Sequence, residues 1–367
     1  MENLVNNYLQ LKKIYHGKRI FVTGHTGFKG SWLINILHLL GAEICGYSLP
    51  PISDADLFYL TSCEKKCKSI YKDIREKEAM INALVEFNPD FIFHLAAQPL
   101  VRESYLYPDD TFSTNFMGTC YLLEGIRKLK NACCIVLITT DKVYKNNDMG
   151  IPYKEIDELG GYDPYSASKA SVEILINSYY QSYFNLKDFN IHKKSIAVAR
   201  AGNVIGGGDW SSDRLIPDIV KSISSNTSIL VRNPYSTRPW QHVLDPLFGY
   251  LLLGMYLSKD PHIYSGAYNF GPASFSSMDV ISIVQMSIIM FGKGSYQIVH
   301  SENSLHEAKN LYLDIEKASA ILNWAPVYNT AESIKLTIDW YKQYFSNPDT
   351  ISDYTFNQIN EFFQIIS

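Results

Sequence analysis

Thr23-Gly24-His25-Thr26-Gly27-Phe28-Lys29-Gly30 is the stretch that decides the fold. It follows the apolar run Arg19–Thr23 and leads into a helical pattern over Phe28–Leu40. Its glycines stand at i, i+3 and i+6, one residue longer than the familiar G-x-G-x-x-G. Gly24 permits a sharp turn, Gly27 lets the backbone approach a pyrophosphate, and Gly30 lets helix and strand pack closely. The helix N-terminus then offers free N–H groups and the positive end of its dipole to phosphates. Because a strand precedes the loop and a helix follows it, a dinucleotide site is favoured over a plain turn.

Outward from the loop, short apolar runs alternate with helical patterns. Strands are expected at Arg19–Thr23, Glu43–Tyr47, Ser69–Lys72, Phe91–Leu95, Cys134–Thr139 and Ser195–Arg200. Helices are expected near Phe28–Leu40, Arg75–Phe87, Asp110–Leu129 and Pro164–Tyr183. This alternation predicts an α/β protein: a Rossmann-type doubly wound parallel sheet with helices on both faces. After about Ala201, Gly206-Gly207-Gly208 and scattered prolines break the pattern into short pieces, which predicts a smaller α/β lobe. The expected division is a dinucleotide-binding part over 1–200 with about 239–260, a substrate-binding lobe over 201–238 and 261–345, and a tail over 346–367. A last helix is expected at Ala331–Phe345, and the tail reads as an amphipathic helix or a subunit contact.

Composition narrows the function classes. The 367 residues are 46% hydrophobic and 19% charged, which excludes disorder, collagen and coiled coil as the main state. With 33 Lys and Arg against 37 Asp and Glu, the net charge is −4 and no basic block stands out. No nucleic-acid partner is therefore expected. The polar start Met1–Lys18 lacks the apolar centre of a secretory signal, and no run reaches the roughly 18 apolar residues of a membrane span. A cytoplasmic protein without a membrane partner is expected. Cys63-x3-Cys67 has no matching Cys/His pair, so the cysteines read as reduced thiols and no metal site is expected. The 26 Tyr, 18 Phe and 5 Trp suit ring-shaped ligands and an aromatic core equally well.

Several residues carry chemistry. Strand two ends in Gly46-Tyr47-Ser48-Leu49 without the acid that binds ribose hydroxyls in many NAD sites, and Lys29 could meet a 2′-phosphate. Spacing alone leaves NAD and NADP open. Asp73, after the third strand, suits an adenine contact or a helix N-cap equally. Tyr165 and Lys169 stand at i and i+4 and share a helix face. A lysine beside a phenol favours the phenolate, so Tyr165 is expected to act as a base below its free pKa of about 10. One strand earlier, Thr139-Thr140-Asp141-Lys142-Val143-Tyr144 falls at a C-terminal strand end, where open α/β sheets place ligands.

Together, Thr23–Gly30, His94-Leu95-Ala96-Ala97-Gln98, Thr140-Asp141-Lys142 and Tyr165-x3-Lys169 resemble the extended short-chain dehydrogenases/reductases. Arg200-Ala201-Gly202-Asn203-Val204-Ile205-Gly206-Gly207-Gly208-Asp209-Trp210, Asp213–Asp218, Arg232-Asn233-Pro234 and Thr237–Val243 narrow this. In that order they resemble the CDP-glucose 4,6-dehydratase group, from about Lys18 to Phe345. The resemblance implies an NAD-dependent lyase that converts CDP-D-glucose to CDP-4-dehydro-6-deoxy-D-glucose by internal redox chemistry, in deoxysugar synthesis for surface polysaccharide. It implies NAD contacts from Gly24, His25, Thr26, Gly27, Phe28, Lys29, Gly30, Asp73, Ile74, Leu95, Ala96, Ala97, Gln98, Tyr165 and Lys169. Tyr165 would be the base, supported by Lys169; Thr140 would hold the C4 oxygen, and Asp141 would protonate the departing C6 hydroxyl. Lys142 stands where the dTDP-glucose dehydratases carry Glu, and would act at C5 as a neutral base or as a cation stabilising the enolate.

By family position, Asn203, Arg214 and Arg238 are the phosphate-side candidates, with Arg232 weaker. Trp240 and His242 adjoin Arg238 but suit core packing as well. A homodimer, or a pair of them, is implied, with the helices near Asp110–Leu129 and Pro164–Tyr183 forming a four-helix contact. Two rivals share the fold. A nucleotide-sugar 4-epimerase needs no acid and base for water loss, and a non-catalytic dinucleotide sensor needs no Tyr/Lys pair.

Overall fold

The computed structural model describes residues 7–146, 150–273, 278–299 and 311–367. Seven strands form one sheet: β1 Arg19–Thr23, β2 Glu43–Ser48, β3 Lys68–Tyr71, β4 Phe91–His94, β5 Cys133–Thr140, β6 Lys194–Ala201 and β7 Gly266–Phe270. Their order is β7-β6-β5-β4-β1-β2-β3 and every pairing is parallel. Strand order reverses around β1 and β4, whose last residues, Thr23 and His94, lie side by side. That switch point is where open α/β sheets hold ligands.

Alternation along the strands builds two apolar layers. Ile20, Val22, Phe91, Phe93, Val136, Ile138, Ala197 and Ala199 share one core with helices Phe28–Leu39 and Leu244–Lys259. Phe21, Ile92, Ile135, Leu137, Ile196 and Val198 share the other with helices Lys77–Phe87, Gly118–Lys128 and Pro164–Tyr183. A sheet covered on both faces explains why its strands are nearly continuous apolar runs. The expected doubly wound α/β fold is the one observed.

Two elements differ from expectation. Strand β7 comes from the segment assigned above to the smaller lobe, and it pairs with β6 along Gly266–Phe270. Its five residues lie among glycine and proline, and a partner distant in sequence makes the strand. The helix expected over Asp110–Leu129 is three pieces: Pro108–Phe112, a π-helical turn Ser113–Met117, and Gly118–Lys128. At that turn Asn115 is buried and donates to Gln98 O at 3.1 Å and Ser168 Oγ at 2.9 Å. Of the two readings of the tail, the helix is the one observed: Ile351–Ile365 packs against its own chain, where Trp340 Nε1 donates to Thr355 Oγ1 at 2.8 Å and Phe362 packs on Phe248. The N-terminal helix Asn7–Tyr15 meets it, with the Tyr8 and Phe363 rings 5.1 Å apart. The remaining short strands pair in twos: Val204–Ile205 with Gln241–His242, Thr237–Arg238 with Met278–Asp279, and Ile229–Val231 with Tyr296–Ile298.

Candidate active site

The glycine loop leaves β1 in the way the sequence requires. Gly24 has φ +71°, and a Cβ there would lie 2.7 Å from Ala96 N. A Cβ on Gly30 would lie 2.1 Å from Gly24 O, so the helix rests directly on the turn. Helix Phe28–Leu39 starts after Gly27 without a side-chain cap and without an acid in its first turn. Its N–H groups and dipole therefore remain for an anion. This cradle fits the pyrophosphate of a dinucleotide. Just after β4, Leu95 N donates to Thr23 O at 3.2 Å, Ala96 N to Thr23 Oγ1 at 3.2 Å, and Gln98 N to Asn115 Oδ1 at 2.8 Å. These bonds fix the second wall of the cleft, which continues into Ala97.

Other loop residues take separate directions. His25 is a buried wedge beneath β2: its Nε2 lies 3.0 Å from Ser69 Oγ, and a Cβ on Gly46 would fall 2.2 Å from its ring. Burial lowers its pKa to about 4, so the ring is neutral. Thr26 ties the loop to the end of β2 through Ser48 Oγ and Leu49 O, each at 2.9 Å. Phe28 lies against Gly206. Lys29 departs from the 2′-phosphate expectation. Its Nζ lies 5.9 Å from the centre of the Tyr250 ring, and it interacts with Arg214, Lys169, Asp141 and Asp209 instead of the end of β2. Burial first, then Arg214 and Lys169, push its pKa down to about 7. Asp73 caps its own turn, accepting from Arg75 N at 2.8 Å, and is bound by the Arg75 guanidinium at 2.7 Å. Ile74 is buried against Gly118.

Tyr165 and Lys169 lie near the start of helix Pro164–Tyr183, whose bounds match expectation. The N-cap is Asp163, which accepts from Ser166 N at 2.9 Å, and Pro164 fits the first helical position. Tyr165 N donates to Ser104 Oγ at 3.1 Å, which anchors the first turn to the neighbouring helix Val101–Leu106. Both side chains are buried. From the end of β5, the Thr140 hydroxyl donates to Asp141 Oδ1 at 2.9 Å and acts on the Tyr165 phenol. A tight turn, Asp141–Val143, follows, with Lys142 N donating to Thr140 Oγ1 at 3.3 Å. Four of the five expected catalytic side chains are thus buried at one strand end, and Lys142 is half-buried beside them.

The electrostatics revise one expectation. The Tyr165 phenol sits at about 12, above its ordinary value, because burial disfavours the phenolate and Asp141 adds repulsion. Thr140 and Arg214 act in the opposite direction. Lys169 is pushed down to about 8 by burial, with Glu173 opposing the shift. Desolvation outweighs the help a nearby cation gives the phenolate. Burial also raises the pKa of Asp141, against Lys142, Thr140, Arg238 and Lys29, and so favours the protonated acid.

Of the substrate-side candidates, Arg214 and Arg238 reach the site. Arg214 is held by Asp209 Oδ2 at 3.1 Å and acts on Tyr165, while Arg238 acts on Asp141 and donates to Thr237 O at 3.1 Å. Asn203 follows β6, and its carbonyl accepts from Gln241 N at 3.0 Å. Arg232 stands in a partly exposed cluster, sharing Asp213 Oδ1 with Arg102 at 3.2 and 3.1 Å. Trp240 and His242 are buried, and His242 meets Trp32 and Tyr328 edge-on, as core residues do. Sequence reading missed Ser104 and Glu173 and assigned no role to Arg200 and Asp209, which stand in the motif quoted above. For Glu173 a signal existed: it stands at i+4 from Lys169 on the same helix face. Among the described residues no group of three or more His, Cys, Asp or Glu side chains is placed to hold a metal ion, and no helix is long and apolar enough to cross a membrane.

A family model described as GDP-mannose 4,6 dehydratase matches residues 21–337. Over 340 residues the chain is 42% identical to the CDP-glucose 4,6-dehydratase of Salmonella typhimurium, covering 93% of this chain and 95% of that protein. Among solved structures, a dTDP-glucose 4,6-dehydratase of Streptomyces venezuelae with NAD and DAU bound is similar with a TM-score of 0.76 at 22% identity. That likeness covers 89% of this chain and 97% of the other. The UDP-glucose 4-epimerase of Thermotoga maritima with UDP-glucose also has a TM-score of 0.76, at 20% identity, covering 89% of this chain and 99% of the other. Dehydratase and epimerase share this fold, so the fold alone does not choose between them.

Proposed function

We propose, from the premise that this chain belongs to the GDP-mannose 4,6-dehydratase family, that it converts CDP-D-glucose to CDP-4-dehydro-6-deoxy-D-glucose and water with NAD as cofactor. The observation that carries this reading is the buried acid beside the buried phenol. Asp141 accepts from the Thr140 hydroxyl, both it and Thr140 act on the Tyr165 phenol, and burial favours the protonated form of Asp141. A 4-epimerase needs the phenol but no acid to expel water.

The cofactor's pyrophosphate would lie against Gly24, Gly27, Gly30 and the N-terminus of helix Phe28–Leu39, with Leu95–Gln98 as the facing wall and Lys169 at the ribose. Bound there, NAD would supply the hydride acceptor for oxidation at C4 and the hydride donor for C6, with a proton returning to C5, and in its oxidised form would add a positive ring to the site. Tyr165 takes the proton of the C4 hydroxyl, Lys169 stabilises the phenolate, and Thr140 holds the C4 oxygen. The ketone at C4 makes the C5 proton acidic. Lys142 acts in its removal, as a neutral base or as a cation against the enolate. Asp141 gives its proton to the departing C6 hydroxyl. Arg214, Arg238 and Asn203 serve the substrate's pyrophosphate side, with Arg232 at the periphery.

The test is a panel of CDP-, dTDP- and GDP-sugars with NMR of the products. CDP-glucose is expected to give the 4-keto-6-deoxy sugar. Dehydration of dTDP- or GDP-sugars with CDP-glucose untouched overturns the substrate, and a C4 epimer as sole product overturns the reaction.

The working form is a homodimer. Helix Pro164–Tyr183 buries one face on the sheet, while Ile174 on its outer side is 62% exposed, with Tyr183 and Phe112 also exposed nearby in the two helical segments. A second copy would cover such a face. Sedimentation at working concentration is expected to show a dimer or a pair of dimers; a monomer rejects this arrangement.

A further inference from the structure

One buried ionic cluster lies behind the reacting groups. Glu173 follows Lys169 by one helical turn and is 6% exposed. Its carboxylate accepts from Thr139 Oγ1 at 2.6 Å, on β5 just before Thr140, and from Arg200 Nε at 2.9 and 3.0 Å, on β6. Arg200 Nη2 also binds this carboxylate. The guanidinium is itself fixed: its Nη1 donates to Tyr144 OH at 2.6 Å and to Glu155 O at 3.1 Å. Tyr144 OH then donates to Asn269 Oδ1 at 2.7 Å on β7, and Asn269 Nδ2 donates to Tyr153 O and Asp314 O. Two strands thus bind the carboxylate directly, β5 through Thr139 and β6 through Arg200, and Arg200 is tied in turn to Tyr144 and through it to β7.

We infer that Glu173 is a positioning residue that supplies the counter-charge of Lys169, held in place by Arg200, Tyr144 and Asn269. This rests on the proposed function only in giving Lys169 the task of supporting the Tyr165 phenolate. The other groups around Lys169 cannot serve. Tyr165, on the same helix, is a phenol. Lys29, from the glycine-loop helix, is a second cation and interacts with Lys169 repulsively. His94, at the end of β4, is buried between Thr23 and Thr119 and neutral. Lys169 Nζ has a backbone contact with Ile138 O at 3.4 Å, a long bond that carries no full charge. Glu173 is the carboxylate among these groups, and it opposes the loss of the Lys169 proton that burial promotes. A purely structural Glu173–Arg200 pair would hold β5, β6 and the helix together without affecting that proton.

The test separates these roles. Replacing a buried pair together by apolar residues is often neutral for stability, whereas breaking one partner is not. The double variant Glu173→Leu with Arg200→Met is therefore the main probe, Glu173→Gln the second, and Glu173→Asp the conservative control. Folding is checked by circular dichroism. Two readouts are followed across pH: CDP-glucose turnover, and acetylation of Lys169 by acetic anhydride in cofactor-free protein, read by mass spectrometry. In the double variant the acetylation midpoint and the alkaline edge of turnover are expected to fall by at least about one pH unit, tenfold in the protonation equilibrium. Glu173→Asp is expected to keep both near wild type even where kcat drops. An unchanged acetylation midpoint in a folded double variant, or in folded Glu173→Gln, overturns the assignment. If wild-type protein leaves CDP-glucose untouched while the acetylation midpoint still shifts, the functional reading fails and this inference stands.

Discussion

Tyr165→Phe is expected to lower turnover of CDP-glucose by about a thousandfold or more, within the range a positioned acid–base group contributes. The ring still fills its buried site, and the backbone bond from Tyr165 N to Ser104 Oγ is untouched, so the fold should persist. Only the hydroxyl is lost, and with it the acceptor for the C4 proton. The Thr140 hydroxyl retains Asp141 as partner, so no buried group is stranded. Because the block precedes oxidation at C4, neither the 4-keto product nor reduced nicotinamide should accumulate in a single-turnover mixture. The pH dependence has a definite sign. Lys169 titrates near 8 and is charged below that value, while the Tyr165 phenol ionises only toward 12. Raising pH makes the phenolate more accessible but removes the lysine charge that supports it, so turnover should decline once pH passes the lysine value. Turnover of Tyr165→Phe within tenfold of wild type would show that another group takes the C4 proton.

How much of this site could be read from the sequence depends on how local its causes are. The glycine loop was legible because its demands are local: Gly24 needs positive φ, and Gly30 has no room for a Cβ. Helix Pro164–Tyr183 was legible to its bounds because Asp163 and Pro164 mark its start. Strand β7 was not, since five residues become a strand only by pairing with β6. The π-helical turn at Ser113–Met117 was not, because what accompanies it is a tertiary contact of Asn115 with Ser168. The direction of Lys29 was invisible for a similar reason: sequence places it in the loop, but only the packing turns it toward Tyr250. The acidity of Tyr165 was misjudged because a lysine four residues away is visible in sequence, whereas burial is a property of the whole fold.

Lys142→Met should separate oxidation from elimination. Oxidation at C4 depends on Tyr165, Lys169 and Thr140, and the bond from Lys142 to Thr140 comes from its backbone N–H, which the substitution keeps, so the variant should still form reduced nicotinamide from CDP-glucose. Loss of the C5 proton should slow by about a hundredfold to ten-thousandfold, so that reduced nicotinamide accumulates before any product appears. The variant also tests whether the effect is indirect. The Lys142 charge holds the Asp141 pKa down, so removing it leaves Asp141 more fully protonated and a better-populated acid. If elimination falls although the acid is more available, the loss belongs to the C5 step and not to expulsion of the hydroxyl. Lys142→Arg then divides the two forms of participation, since a guanidinium keeps the charge but cannot be deprotonated to a base. Recovery in Lys142→Arg identifies a cation stabilising the enolate, and continued accumulation of reduced nicotinamide identifies a neutral base. Wild-type turnover in Lys142→Met would remove Lys142 from the mechanism and leave Asp141 as the elimination residue supplied by this turn.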